Sequence, residues 1–170
     1  MTTAGSALEV VAASADVRGI ALVLHGGRET STAPVRAHQL AVLRMRPFAR
    51  RLAATGGRHG LAVARLRFGQ RGWNGELRSP VNDARAALAE LTARYPGVPA
   101  ALVGHSMGGR VAVHVADDAA VTVIAALAPW LTPSDPVDTL TGRRLLVIHG
   151  EADRITDPRV RKRMFELTKA

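Results

Sequence analysis

Apolar residues gather in six short runs: Leu8 to Ala13, Ile20 to Leu24, Leu61 to Leu66, Ala100 to Val103, Val121 to Leu127 and Leu145 to Ile148. Most are apolar throughout instead of alternating, which predicts strands buried on both faces, as in a parallel sheet covered by helices. Between them the apolar spacing turns helical at Leu40 to Ala54, Val81 to Arg94, Met107 to Val115 and Pro158 to Thr168. Strand and helix patterns in alternation predict a doubly wound α/β domain, a mostly parallel sheet of about six strands flanked by helices. No internal repeat or long linker divides residues 1–170, so one domain is expected. Ser79-Pro80 and Asp157-Pro158 read as helix starts, a capping side chain followed by a proline in the first turn. Pro47 conflicts with the first helical pattern, because an interior proline removes a hydrogen bond, and moves the expected start of that helix to near Arg46.

The chemistry-bearing segments fall where strands end. Gly104-His105-Ser106-Met107-Gly108 stands between an apolar run and a small-residue helix. A Gly-x-Ser-x-Gly so placed makes a sharp turn that lifts the serine hydroxyl above the sheet edge, so Ser106 is the candidate nucleophile. Acyl transfer by serine also needs donors for the oxyanion, an orienting acid and a base. Met107 N–H, at the helix start, is one expected donor. Gly27 N–H, in the His25-Gly26-Gly27 turn after the second run, is the other, although Gly-Gly after a strand is also an ordinary turn. Asp153, after the sixth run, is the expected acid; a turn role or a pairing with Arg154 is the alternative. Asp135 and Asp138 follow the fifth run and are secondary candidates.

Taken together, Leu24-His25-Gly26-Gly27, Gly104 to Gly109 and His149-Gly150-Glu151-Ala152-Asp153 resemble the α/β-hydrolase superfamily, specifically its small serine hydrolases of the esterase and dienelactone-hydrolase-like kind. Arg71-Gly72-Trp73-Asn74-Gly75 resembles a loop of many members, with a departure in spacing at Asn74 and Gly75. The resemblance implies the order Ser, Asp, His, with the base on a loop beyond Asp153. No histidine follows His149. His25, His105 and His149 read as turn residues, His114 is expected to face away from Ser106, and His38 is the least implausible substitute. The chain therefore reads as incomplete before the last strand, base and helix of the fold, which would leave the sixth run as an exposed sheet edge. Two functions follow. One is hydrolysis of a small carboxyl ester or thioester through an acyl-enzyme on Ser106, weak or absent in this chain; the other is a non-catalytic binding protein of the same fold.

Composition narrows this further. The chain has no cysteine, which excludes disulfides and thiolate chemistry, and its six histidines show no metal-binding spacing, so neither metal nor cofactor is expected. No run is long enough to span a bilayer, no leader pattern opens the chain, and a cytoplasmic location is expected. The net charge of +9 is concentrated between Arg36 and Arg94, where twelve arginines face Glu76, Asp83 and Glu90. With only 4% aromatic residues, nucleic acid is not an expected partner. Biased arginine usage on a solvated surface explains the charge; attraction of an anionic ester is the sharper alternative, with Arg28, Arg36, Arg67 and Arg71 in the site loops. Only about sixteen residues, 128–143, join the last two runs, so no lid is expected, and Trp130 either lines an acyl pocket or packs over the core.

Overall fold

The computed structural model describes residues 5–150 and 158–167. All six expected strands form: β1 (Ala7–Ala12), β2 (Gly19–Leu24), β3 (Leu61–Arg67), β4 (Ala100–His105), β5 (Val121–Leu127) and β6 (Arg144–Ile148). They make one sheet in the order β1-β3-β2-β4-β5-β6, with β1 antiparallel to β3 and every other pairing parallel. Among the described residues the four α-helices are α1 (Leu40–Gly56), α2 (Ser79–Arg94), α3 (Met107–Val115) and α4 (Pro158–Leu167).

Alternation along β2 assigns the two faces of the sheet. Ile20, Leu22 and Leu24 join a large buried cluster with Leu88 and Leu91 of α2 and Val111 and Val115 of α3. Ala21 and Val23 face the other way, into a smaller cluster with Met45 and Ala49 of α1. Burial on both faces is why the central strands read as unbroken apolar runs. Among the described residues β6 pairs only with β5, and Leu146 and Ile148 stand exposed along it. No described helix is long and apolar enough to cross a membrane.

Two local expectations are corrected. α1 begins at Leu40, not near Arg46, and carries Pro47 in its interior. The amides of Val42 and Leu43 both donate to the Gln39 carbonyl, and Val42, Met45 and Ala49 form one buried stripe spanning the proline. Burying such side chains is worth about 1.5–3 kcal/mol for each large one, enough to offset the ~3 kcal/mol of an interior proline. Ser79 does not cap α2. Arg78 holds the N-cap position at φ 44°, and the Ser79 hydroxyl donates to Gln70 Oε1 at 3.0 Å. Asp157 lies outside the described residues.

Candidate active site

The parallel strands β2, β4 and β5 end on one edge of the sheet, where ligands bind in open α/β folds. Ser106 sits there between β4 and α3 with φ 53° and ψ −117°, a backbone conformation that costs a non-glycine residue about 1–3 kcal/mol. Neighbouring strands hold it in place. Its amide donates to Leu127 O at 3.0 Å, and its carbonyl accepts from the amide of Trp130 at 3.2 Å. Gly104 makes the tight turn possible, since a Cβ there would meet the Gly108 carbonyl and come within 2.6 Å of the Gly109 nitrogen.

The turn after β2 closes on this serine. A Cβ on Gly26 would lie 3.4 Å from Ser106 Cβ. On Gly27 it would run into the buried Met107 side chain and stand 2.5 Å from the Arg71 carbonyl, so only glycine fits. Among the described residues, neither the Gly27 nor the Met107 amide donates to another backbone group. Met107 opens α3, so its N–H stands at the positive end of that helix.

His25 supports this turn from below. Its Nδ1 is 2.6 Å from Gly26 O, and its Nε2 accepts from the Phe68 amide at 3.1 Å, which fixes Nδ1 as the protonated nitrogen. Burial pushes its pKa down to about 4, the Gly26 bond opposes that, and Arg67 nearby lowers it further. The ring is therefore neutral and structural at pH 7. His105 is also lowered, by burial first and by Arg44 second.

The Arg71-Gly72-Trp73-Asn74-Gly75 segment has a clear structural task. It runs beside the loop that follows Gly27: Arg28 N donates to Arg71 O at 2.8 Å, Trp73 N to Arg28 O at 2.9 Å and Asn74 N to Glu29 O at 3.0 Å. Asn74 Oδ1 accepts from Ser31 N at 2.9 Å, with Asn74 at φ 64°. A cleft of about 300 Å³ opens beside Gly26 and Gly27, with Arg28, Arg71 and Leu40 in its wall. Arg36 and Arg67 do not line it, and neither does His38, which is exposed on the turn before α1.

The structure also contains a polar cluster that sequence reasoning missed. The Asp135 carboxylate, only 1% exposed, binds Arg110 Nε at 2.8 Å, His114 Nε2 at 2.7 Å and the Thr132 amide at 2.7 Å. Burial alone would raise its pKa. The bonds from His114, Thr132 and Arg110 outweigh burial and hold it below the usual carboxylate range. The Arg110 guanidinium lies 4.0 Å from the Trp73 ring centre and 4.7 Å from that of Trp130. Trp130 thus packs against the core and also lines a second cleft of about 320 Å³ with Trp73 and Arg110. Arg110 and His114 follow Ser106 by four and eight residues, on one face of α3, and that spacing was the available signal. About 12 Å of helix rise separates His114 from Ser106, so this histidine is paired elsewhere. Asp138 is taken by Arg163 of α4 at 2.8 Å. Asp153 lies outside the described residues, and among these no group of His, Asp or Glu is arranged to hold a metal.

No curated protein matches the chain. Its fold is similar to that of an alpha-beta serine hydrolase homologue from Coxiella burnetii, with a TM-score of 0.66 at 16% identity over 98% of this chain and 78% of that one. It is also similar to an a/b serine hydrolase without lid from Xanthomonas campestris, with a TM-score of 0.61 at 24% identity over 95% and 72%. A predicted CIB-like hydrolase from Thermoplasma acidophilum gives a TM-score of 0.64 at 17% identity over 95% and 76%. The hydrolase family model described as serine aminopeptidase, S33, matches residues 15–142, and the chain belongs to that family.

Proposed function

We propose that this hydrolase cleaves a small carboxyl ester or thioester through an acyl-enzyme on Ser106. The observation that carries the reading is the strained Ser106 backbone, with the Gly27 and Met107 amides nearby in the chain fold bonding no other backbone group among the described residues. In the first half-reaction Ser106 Oγ gives its proton to a base and bonds to the substrate carbonyl carbon, while Gly27 and Met107 N–H receive the oxyanion. Collapse expels the alcohol or thiol with that proton, and water then releases the acid and restores the hydroxyl. Asp153 is the proposed acid, and the base is a histidine outside the set formed by His25 and His114, which are engaged elsewhere.

Fluorophosphonate labelling tests the nucleophile. Slow labelling that maps to Ser106, is accelerated by added imidazole acting as an external base, and disappears in Ser106→Ala is the expected result. Absence of labelling with imidazole present overturns the reading and favours the alternative, a non-catalytic binding protein. Arg28 and Arg71 in the cleft wall support an anionic substrate. Matched neutral and anionic esters check this: a preference for the anionic ester that shrinks with salt is expected, and equal rates refute it.

A further inference from the structure

Two arginines of β3 point the wrong way for a buried face. Arg65 and Arg67 alternate with Ala64 and Leu66, which belong to the large cluster, so they share the α1 side of the sheet with Val63. Covering them is α1, which contributes a third arginine, Arg46. All three line one cavity of about 80 Å³ between helix and sheet. The Arg65 side chain is only 17% exposed.

Their partners do not balance them. Arg65 Nη2 bonds Glu9 at 2.6 Å, across the β1–β3 register that sets Glu9 opposite Arg65. Arg67 Nη1 donates to the Val35 carbonyl, a neutral acceptor, at 2.7 Å. Arg46 Nε is sealed from solvent and has no hydrogen-bond partner among the described residues. Three guanidinium groups thus face one carboxylate, and His25, also in the cavity wall, adds no negative charge. Sealed donors are almost always paired, and like charges gathered on one partly buried cavity destabilise one another unless an anion sits among them.

We infer that the Arg46, Arg65 and Arg67 cavity binds a small tetrahedral oxyanion of the phosphate or sulfate class. The charge of such an ion offsets the excess of cations, and a small turn of the Arg46 side chain toward it gives the sealed Nε the acceptor it lacks. Its bulk, roughly that of two to three water molecules at ~30 Å³ each, suits the space. Guanidinium forks match its oxygens in pairs. The site is separate from the Ser106 chemistry and does not rest on it.

The test uses the full chain with inorganic phosphate or sulfate against sodium chloride at equal ionic strength. The expected result is a saturable rise in Tm of on the order of 5 °C with either oxyanion and a smaller, non-saturating change with chloride. Arg46→Met and Arg65→Met should each abolish the rise, and Arg46→Met should melt no lower than the parent in oxyanion-free buffer, since it removes an uncompensated charge. In the unsubstituted protein, the Arg46 N–Hε NMR resonance should shift along the same binding curve. An identical effect of chloride, a Tm rise that survives both substitutions, or an unmoved Arg46 resonance overturns the proposal.

Discussion

Two regions of α3 handle polar groups in opposite ways. At its start, Ser106 occupies a strained conformation, the Gly27 and Met107 amides bond no other backbone group among the described residues, and glycines have cleared the surrounding space. One to two turns further on, Arg110 and His114 converge on Asp135, whose oxygens also bind Thr132, and two tryptophans enclose the guanidinium. Satisfied polar networks stiffen a structure, whereas backbone strain persists only where the surrounding packing over-determines it. The second region supports the first: Asp135 anchors the loop that carries Trp130, and the Trp130 amide bonds the Ser106 carbonyl.

The largest effect should come from the bonded region. Asp135→Ala leaves a buried arginine and histidine without their acceptor, and should lower unfolding free energy by about 3–5 kcal/mol in denaturant melts. Ser106→Ala should change it by less than ~1 kcal/mol. If the two variants were equally stable, the distinction between a structural cluster and a strained site would fail.

The buried His25 and Asp135 sharpen the contrast next. His25, at about 4, has a folded pKa below its unfolded value of about 6.5. The unfolded chain therefore binds the extra proton between those values, and stability present above pH 6.5 is lost as pH falls toward 4, by up to ~3 kcal/mol. His25→Gln should flatten that part of a stability profile. For Asp135 the depressed pKa keeps its contribution in place above the ordinary carboxylate value, to be lost as pH falls through the lower folded one. Denaturant midpoints from pH 7 to 3 should thus show the His25 loss first.

What was legible in the chain follows from range. The runs of β2 and β4, and those of β3 and β5 apart from Arg65 and Thr122, are apolar because helices cover both faces, and that pattern is local. The tight turns at Ser106 and Gly27 were legible because glycine spacing at a strand end states a steric need directly. The Asp135 cluster was not, since its members are up to 25 residues apart and meet only after β5 and its loop have packed on α3. Ser79 and Pro47 were misread for a related reason: a tertiary partner, Gln70 in one case and the buried stripe of α1 in the other, overrode the local rule. The arginine excess read as surface bias, and strand register was needed to show that Arg65 and Arg67 lie under α1.

A milder intervention separates steric clearance from bonding. Gly27→Ala forces a Cβ against Met107 and the Arg71 carbonyl, and should cost about 1–3 kcal/mol of stability. Because it displaces one proposed oxyanion donor, imidazole-assisted labelling of Ser106 should slow by on the order of 10²-fold. Thr132→Val, which touches only the Asp135 region, should leave that labelling rate within about twofold. Equal losses in the two variants would mean that the regions act as one unit.

The smallest change should have the opposite sign. Ser106→Gly removes a Cβ from a backbone at φ 53° while keeping the Leu127 and Trp130 bonds, which are made by main-chain atoms. Relief of strain favours the folded state, and the added freedom of glycine in the unfolded chain opposes it. Since the strain of about 1–3 kcal/mol is the larger of the two, a net gain of up to ~1 kcal/mol is expected in denaturant melts, together with complete loss of labelling. A clear net loss would mean that the Ser106 conformation is not strained and that its hydroxyl bonds within the fold, which would place this serine with Asp135 among the structural groups of α3.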